Sequence, residues 1–151
     1  MFHDIAHLTR LKIDAALKPY GLTRLKWLAI GIIADNEGLS QADLASRLEL
    51  RGAATGKLVD RLVERGLVER RMDISDRRAY RLFATQKSNA LLLELEPMGE
   101  DLRQDILQGL DDEDIGALKS CLIKIKANLL GVAVGIVPTV AFKSEFILPM
   151  V

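Results

Sequence analysis

The fold is decided by residues 39–84, which read LSQADLASRLELRGAATGKLVDRLVERGLVERRMDISDRRAYRLFA. Ser40 stands where a helix N-cap is preferred, with an acidic residue three positions later and a leucine on each side of the cap. This pattern predicts a short helix that ends near Leu48. A second helix is predicted from about 53 to 65, because Gly66 suits the left-handed residue that ends a helix.

Two short strands follow, predicted at 67–70 and 80–84, with a polar loop of acidic and basic residues between them. They form a hairpin with a charged tip. A further helix, from Thr23 as N-cap to about Asp35, precedes the stretch. Helix, short helix, basic helix and charged hairpin in this order are typical of a winged helix-turn-helix, in which the third helix lies in the major groove of DNA and the hairpin reaches the adjacent backbone or minor groove.

Long apolar stripes flank this unit. A first helix is predicted over residues 2–18, where Pro19 stops it, and another over about 85–110, which Pro97 bends or divides. The last helix begins at Asp111 and carries a heptad seam of apolar residues, namely Ile115, Leu118, Leu122, Ile125 and Leu129. Since the central segments suffice for a compact unit, the outer helices are expected to pack on a second copy of the chain.

At this point the sequence resembles the MarR family of bacterial transcriptional regulators over about residues 5–129, and within it the SlyA branch. Three runs carry the resemblance: residues 39–45, residues 58–70 and, above all, the wing signature Asp76-Arg77-Arg78-Ala79-Tyr80-Arg81-Leu82. The resemblance implies a homodimer built by helices 1, 5 and 6, in which each winged helix reads half of an inverted repeat. It also implies release from DNA by small phenolic carboxylates or by oxidation.

The composition fits one soluble globular domain. The chain has 151 residues, of which 49% are apolar and 28% charged, with 21 basic and 21 acidic side chains. The zero net charge is a cancellation, because residues 51–81 hold nine basic against five acidic residues and residues 82–151 hold six against ten. The basic stretch is either a surface for a polyanion or a solvated face.

These patterns predict a mainly α fold with a small β-hairpin, a winged helix-turn-helix joined to a helical dimerisation region. A single MarR-like domain is expected over residues 1–130, with the winged helix at about 23–85 and the dimerisation helices at about 2–18 and 86–130. Residues 131–151 form an apolar extension with thirteen apolar side chains. This tail either covers the dimerisation helices or is a mobile appendage; its uncharged run is too short and too interrupted to span a bilayer.

In the wing, the resemblance places Arg78 in the minor groove, with Asp76 holding it by a charge-assisted hydrogen bond. The alternative is an ion pair that only stabilises the turn. Arg77 and Arg81 are expected to meet phosphate groups rather than bases.

On the predicted recognition helix, the resemblance places Ala53, Ala54 and Lys57 against base edges, with Thr55 nearby. The small side chains permit a close approach but offer few hydrogen bonds, so much of the specificity is expected to be indirect. Plausible phosphate contacts, each weighed against capping or simple solvation, are Ser40, Gln41, Arg51 and Arg61.

An effector pocket is expected between the dimerisation helices and the DNA-binding lobe. Trp27 matches a pocket-lining position of the SlyA branch, and His7 and Arg10 are candidates to bind a carboxylate from the opposite wall. Their alternatives are a core role for Trp27 and a solvated surface for the other two. His3 and His7 have the spacing of paired metal ligands on a helix, yet nothing completes a site, so no metal is expected.

No cofactor and no enzymatic activity are expected, because no nucleophile stands beside a base and no phosphate loop or perturbed carboxylate pair is recognisable. Cys121, the one cysteine, is interpreted as a small core residue. The absence of a secretory signal favours the cytoplasm. The expected function is a DNA-binding transcriptional regulator, either a repressor or an activator; the alternative is a winged-helix protein-interaction module that never meets DNA.

Overall fold

The structure is a computed structural model that describes residues 1–74, 76 and 79–133. In chain order its elements are α1 (Phe2–Leu17), α2 (Arg24–Asp35), β1 (Leu39–Ser40), α3 (Gln41–Arg47), α4 (Gly52–Glu64), β2 (Val68–Met72), β3 (Tyr80–Ala84), α5 (Gln86–Ile106) and α6 (Asp112–Leu130). A 3-10 turn, Lys18–Tyr20, joins α1 to α2. The predicted fold class, mainly helical with a small β element in a winged-helix order, is confirmed.

Three predicted helix starts are confirmed by their caps. The Thr23 side chain accepts a hydrogen bond from the backbone of Lys26, and the Ser40 side chain accepts one from Asp43. Asp111 and Asp114 form a reciprocal capping box at the start of α6. In each case the side-chain oxygen satisfies a backbone N–H that the first turn of a helix leaves without a partner.

The sheet differs from the predicted hairpin in two ways. It has three strands in the order β1-β3-β2, all antiparallel, because Leu39 and Ser40 pair with Leu82 and Arg81. The strand expected at 67–70 instead covers Val68–Met72. Leu67 is used by the end of α4, where its N–H donates to the carbonyl of Leu62 across Gly66, whose φ is 66°.

The prediction for residues 85–110 left two possibilities, and the structure has one helix. Helix α5 continues through Pro97, although a proline removes one backbone donor there. Thr85 caps it by accepting from Ser88. The helix ends at Ile106, earlier than the predicted end near residue 110, and Gly109, with φ 88°, lies in the connection to α6.

The core lies where the end of α1, the helices α2 to α4, the sheet and the first half of α5 meet. Its fully buried large side chains include Leu17, Ile30, Ile33, Leu44, Val59, Leu62, Leu67, Leu82 and Leu95. Helix α1 packs against α2 and α5, so the core also joins α1 to the helix that follows the sheet. This arrangement leaves α4 and the hairpin at the surface with one face each against the core.

Large apolar side chains stay exposed on the outer helices. Those on α1 are Phe2, Ile5, Leu8 and Leu11, and those on α6 include Leu118, Ile125, Leu129 and Leu130. Of the 19 residues of α6, Ala127 alone is buried. Within the described part of the chain, no helix is long and apolar enough to cross a membrane. Residues 134–151 of the tail lie outside the described residues, so its predicted role stays a prediction.

Candidate nucleic-acid interface

The helix-turn-helix consists of α3 and α4 and a tight turn between them. The turn passes through Glu49, whose φ of 55° lies in the left-handed region that residues other than glycine and asparagine rarely adopt. The N–H of Leu50 donates to the carbonyl of Ala45 at 2.9 Å, which closes the turn. The backbone of this turn therefore holds the start of α4 against the end of α3.

Helix α4 has one buried and one exposed side. Leu58, Val59 and Leu62 are buried, and the exposed side holds the candidates Ala53, Ala54, Lys57 and Arg61, with Arg51 just before the helix. The structure thus brings these candidates together on one surface. Thr55 is the exception and corrects the sequence prediction: it is fully buried and its hydroxyl donates to the carbonyl of Arg51 at 3.2 Å, so the side chain is not available to DNA.

Gly52 opens α4 without an internal reason to be glycine. It does not have a positive φ, and a Cβ placed on it would meet no heavy atom within 4 Å. Glycine in a helix is less favourable than alanine by up to about 1 kcal/mol. The packing of the described residues therefore does not explain this glycine.

The basic stretch divides into paired and unpaired cations. Arg70 forms an ion pair with Asp60, Arg71 with Glu69, and Arg81 with Asp73, while Arg65 donates to two backbone carbonyls. Among the described residues of this stretch, the side chains of Arg51, Lys57 and Arg61 have no such partner and are exposed. All three belong to α4 or its N-cap, so the unneutralised positive charge of the described part of this stretch lies on the exposed side of this helix.

Arg70 is a residue of this surface that the sequence did not single out. From β2 its guanidinium reaches Asp60 of α4 at 2.6 Å and the side-chain oxygen of Gln41 of α3 at 3.3 Å. The Gln41 amide nitrogen lies 3.5 Å from the position of a Cβ on Gly56. Because its oxygen accepts from Arg70, the amide keeps its N–H₂ donors for another acceptor. The partners are distant along the chain, which is why no local pattern revealed them.

Ser40 takes the capping role that the sequence analysis left open. Its hydroxyl accepts from the Asp43 N–H at 3.0 Å and donates to the Asp43 carboxylate at 2.6 Å. Both hydrogen-bonding functions are therefore used inside the chain. A phosphate contact by Ser40 stays a prediction. A phosphate oxygen needs a donor, and the Ser40 hydroxyl already donates its hydrogen to Asp43.

In the wing, Arg81 donates to the Asp73 carboxylate and, at 3.4 Å, to the carbonyl of Gly38. Asp73 N–H donates to the Ala79 carbonyl and Ala79 N–H to the Asp76 carbonyl, so the tip is closed by its own backbone. Arg81 is thus committed to the base of the loop, and its predicted phosphate contact competes with this pair. Arg77 and Arg78 lie outside the described residues, so their predicted roles are neither supported nor opposed here.

The three effector candidates lie in different surroundings. Trp27 is 8% exposed and belongs to the core, as its alternative interpretation had it. His7 and Arg10 are exposed on α1, where Arg10 donates to the carbonyl of Ala6 at 3.0 Å. The rings of His3 and His7 stack with centroids 6.4 Å apart. Cys121 is exposed, so its interpretation as a core residue is wrong for the single chain.

Comparison with known proteins identifies a family and several solved structures that this chain resembles. The model of the MarR family matches residues 20–79. A crystal structure of the transcriptional regulator SlyA has 24% sequence identity and a TM-score of 0.76, with 84% of this chain and 89% of that chain covered.

Two similar structures contain DNA. The MepR–DNA complex from S. aureus has 23% identity and a TM-score of 0.76, covering 84% of this chain and 94% of that one. A cysteine-to-serine mutant of MarR from E. coli, complexed with operator DNA, has 22% identity and a TM-score of 0.77, covering 82% and 89%. At these identities the likeness establishes the fold.

Proposed function

We propose that the chain is a member of the MarR family, whose model matches residues 20–79, and that it is a transcriptional regulator that binds double-stranded DNA as a homodimer on a pseudo-palindromic operator. The observation that carries the proposal is that Arg51, Lys57 and Arg61 lie on one exposed side of α4 and have no ion-pair partner among the residues the structure describes. Cations placed along a helix that fits the major groove neutralise phosphates on either side of it. Family membership also argues against an enzyme.

The homodimer is supported by the outer helices. A 19-residue helix with one buried residue gains little from its own chain, and most helical stability in proteins comes from the packing of an apolar face. The exposed apolar residues of α1 and α6 supply a face that a second copy would bury. Two-fold symmetry would then place two α4 helices on successive turns of the same groove.

The experiment that tests the function is selection of duplexes from a random library at low salt, followed by footprinting on the selected sites and on the DNA upstream of the coding sequence. We expect protection of two half-sites about one helical turn apart. If neither selected nor upstream DNA is protected, the chain is a protein-interaction module instead.

The wing supplies a prediction that rests on residues outside the described part of the structure. Replacing Arg78 with alanine is expected to weaken operator binding by roughly 1–3 kcal/mol, the loss of one specific groove contact, while the dimer stays intact. The matched control is Arg71→Ala, which removes the same charge from the same hairpin but from a side chain already paired with Glu69. Equal losses in the two variants, measured by titration of a labelled duplex, would assign the effect to charge alone.

We also propose a small aromatic carboxylate as the effector, with Trp27, His7 and Arg10 as its candidate residues. A millimolar concentration of such a ligand is expected to lower operator affinity and to quench the fluorescence of Trp27, the one tryptophan in the chain. An aliphatic carboxylate at the same ionic strength is the control. Unchanged fluorescence with the aromatic ligand would remove Trp27 from the proposed site.

A further inference from the structure

One side chain ties the end of α4 to the turn between α1 and α2. Arg65, the C-cap residue of α4, donates from Nη1 to the carbonyl of Gly21 at 2.6 Å and from Nη2 to the carbonyl of Tyr20 at 3.1 Å. The guanidinium is a planar fork, so two bonds to neighbouring carbonyls fix its direction as well as its distance. The charge count over residues 51–81 includes Arg65 among the basic side chains, but its guanidinium is bound to these two carbonyls rather than only to solvent.

The receiving turn is held in place. Gly21 has a φ of 63°, its N–H donates to Lys18, and the Leu22 N–H donates to Leu17. Leu17 and Leu22 are buried in the core, and the Asp14 carboxylate accepts from the Arg24 N–H at 2.8 Å. The two carbonyls therefore form an acceptor pair whose position is fixed relative to α1.

A second tie joins the same end of α4 to α5. Lys87 Nζ donates to the carbonyl of Arg65 at 2.8 Å, and the Thr85 hydroxyl donates to the carbonyl of Gly66 at 2.8 Å. Helix α1 packs against α5. The C-terminal end of α4 is thus fastened on two sides to the helices proposed to form the dimer.

The opposite end of α4 is the one that carries Arg51, Gly52 and Ala53, and no side chain caps it. A helix of 13 residues is about 20 Å long, at 1.5 Å per residue. A rotation of about 5° about the C-terminal end therefore moves the N-terminal end, together with the α3–α4 turn that is joined to it, by about 1.7 Å. In a two-fold dimer the N-terminal ends of both α4 helices move together. Small changes at Arg65 therefore alter the distance between these two helix ends.

We propose that Arg65 is a positioning residue that sets the angle of α4 against α1 and α5 and thereby fixes the half-site spacing that the dimer accepts. The inference rests on the proposed function, since it presupposes a dimer on a palindrome. The role is geometric, and Arg65 itself need not touch DNA, because both of its donating nitrogens are used within the chain.

The test measures spacing preference. Duplexes selected by the wild-type protein are remade with the spacing between half-sites lengthened or shortened by one base pair, about 3.4 Å. Wild type is expected to lose affinity on both altered duplexes. In Arg65→Ala the ratio of affinities between the selected and the altered duplexes should fall at least fivefold, and Arg65→Lys, which retains one donor centre, should lie between. Arg71→Ala removes a similar charge without touching the end of α4 and should keep the wild-type ratio.

A purely structural role for Arg65 would lower the melting temperature and weaken all duplexes alike, leaving the ratio unchanged; that result overturns the proposal. If Arg65→Ala does not fold, the ratio of affinities for the selected and altered duplexes is measured in Arg65→Lys. A wild-type ratio in that variant also overturns the proposal. Failure of the wild-type protein to bind any selected duplex would instead refute the proposed function, so the two failures are distinguishable.

Discussion

Replacing Leu82 with alanine is expected to lower the free energy of unfolding by about 2–5 kcal/mol, the range for large-to-small changes at well-packed sites. Leu82 is fully buried on the central strand β3, opposite Leu39 on one side and Arg70 on the other. The change removes apolar contacts and leaves a cavity between the sheet and the helices. The backbone pairing of β1, β2 and β3 restrains the residues around Leu82, so they cannot move in to fill this cavity.

The measurement is urea unfolding at a fixed protein concentration, because a dimer makes apparent stability depend on concentration. Leu93→Ala is the matched control, since Leu93 is 65% exposed on α5 and its loss is expected to cost no more than about 0.5 kcal/mol. Similar midpoints for the two variants would show that Leu82 does not hold the sheet to the core.

The double variant Lys57→Ala/Arg61→Ala is expected to weaken DNA binding about a thousandfold at ~0.15 M salt, without unfolding the chain. It removes two exposed and unpaired cations from each subunit. Each lost phosphate contact makes the dependence of log affinity on log salt less steep by about 0.9, so the loss of Arg61, a candidate phosphate contact, from both subunits should reduce the slope by about 2.

Lys119→Ala/Lys124→Ala is the matched control, because it removes the same charge from exposed positions on α6. Its affinity and salt slope should equal those of the wild-type protein. A reduced affinity of Lys57→Ala/Arg61→Ala with an unchanged salt slope would mean that the two residues act through something other than phosphates.

Sequence reasoning predicted those parts of the fold that local chemistry determines. Thr23, Ser40 and Asp111 were recognisable as caps because a side chain satisfies a donor within its own first turn. The two-residue strand β1 was not predictable from its own residues. Leu39–Ser40 is a strand because it pairs with β3 at Leu82, which is distant along the chain. The start of β2 was misplaced by one residue for a related reason. Leu67, whose N–H closes the turn after α4, and Val68, which begins the strand, are both apolar.

The candidate site divides in the same way. The exposed positions of α4 followed from helix periodicity, and Thr55 was wrong because a resemblance aligns positions and does not measure burial. The ion pair between Asp60 and Arg70 and the hydrogen bonds of Arg65 were missed, because their partners come from other elements. Counting charge along the stretch overstated its free positive charge, since pairing is a property of the folded chain.

The strand order described above leaves β2 at one edge of the sheet and the two-residue β1 at the other. An open edge invites a strand of another molecule, and a chain with zero net charge has little long-range repulsion to keep copies apart. Strand β2 carries Glu69, Arg70 and Arg71 in succession, with Arg71 lying over the Phe83 ring at 4.3 Å. Charged side chains on an edge strand oppose edge-to-edge pairing, so we expect Arg70 and Arg71, which ion pairs withdraw from DNA, to limit the aggregation of this protein.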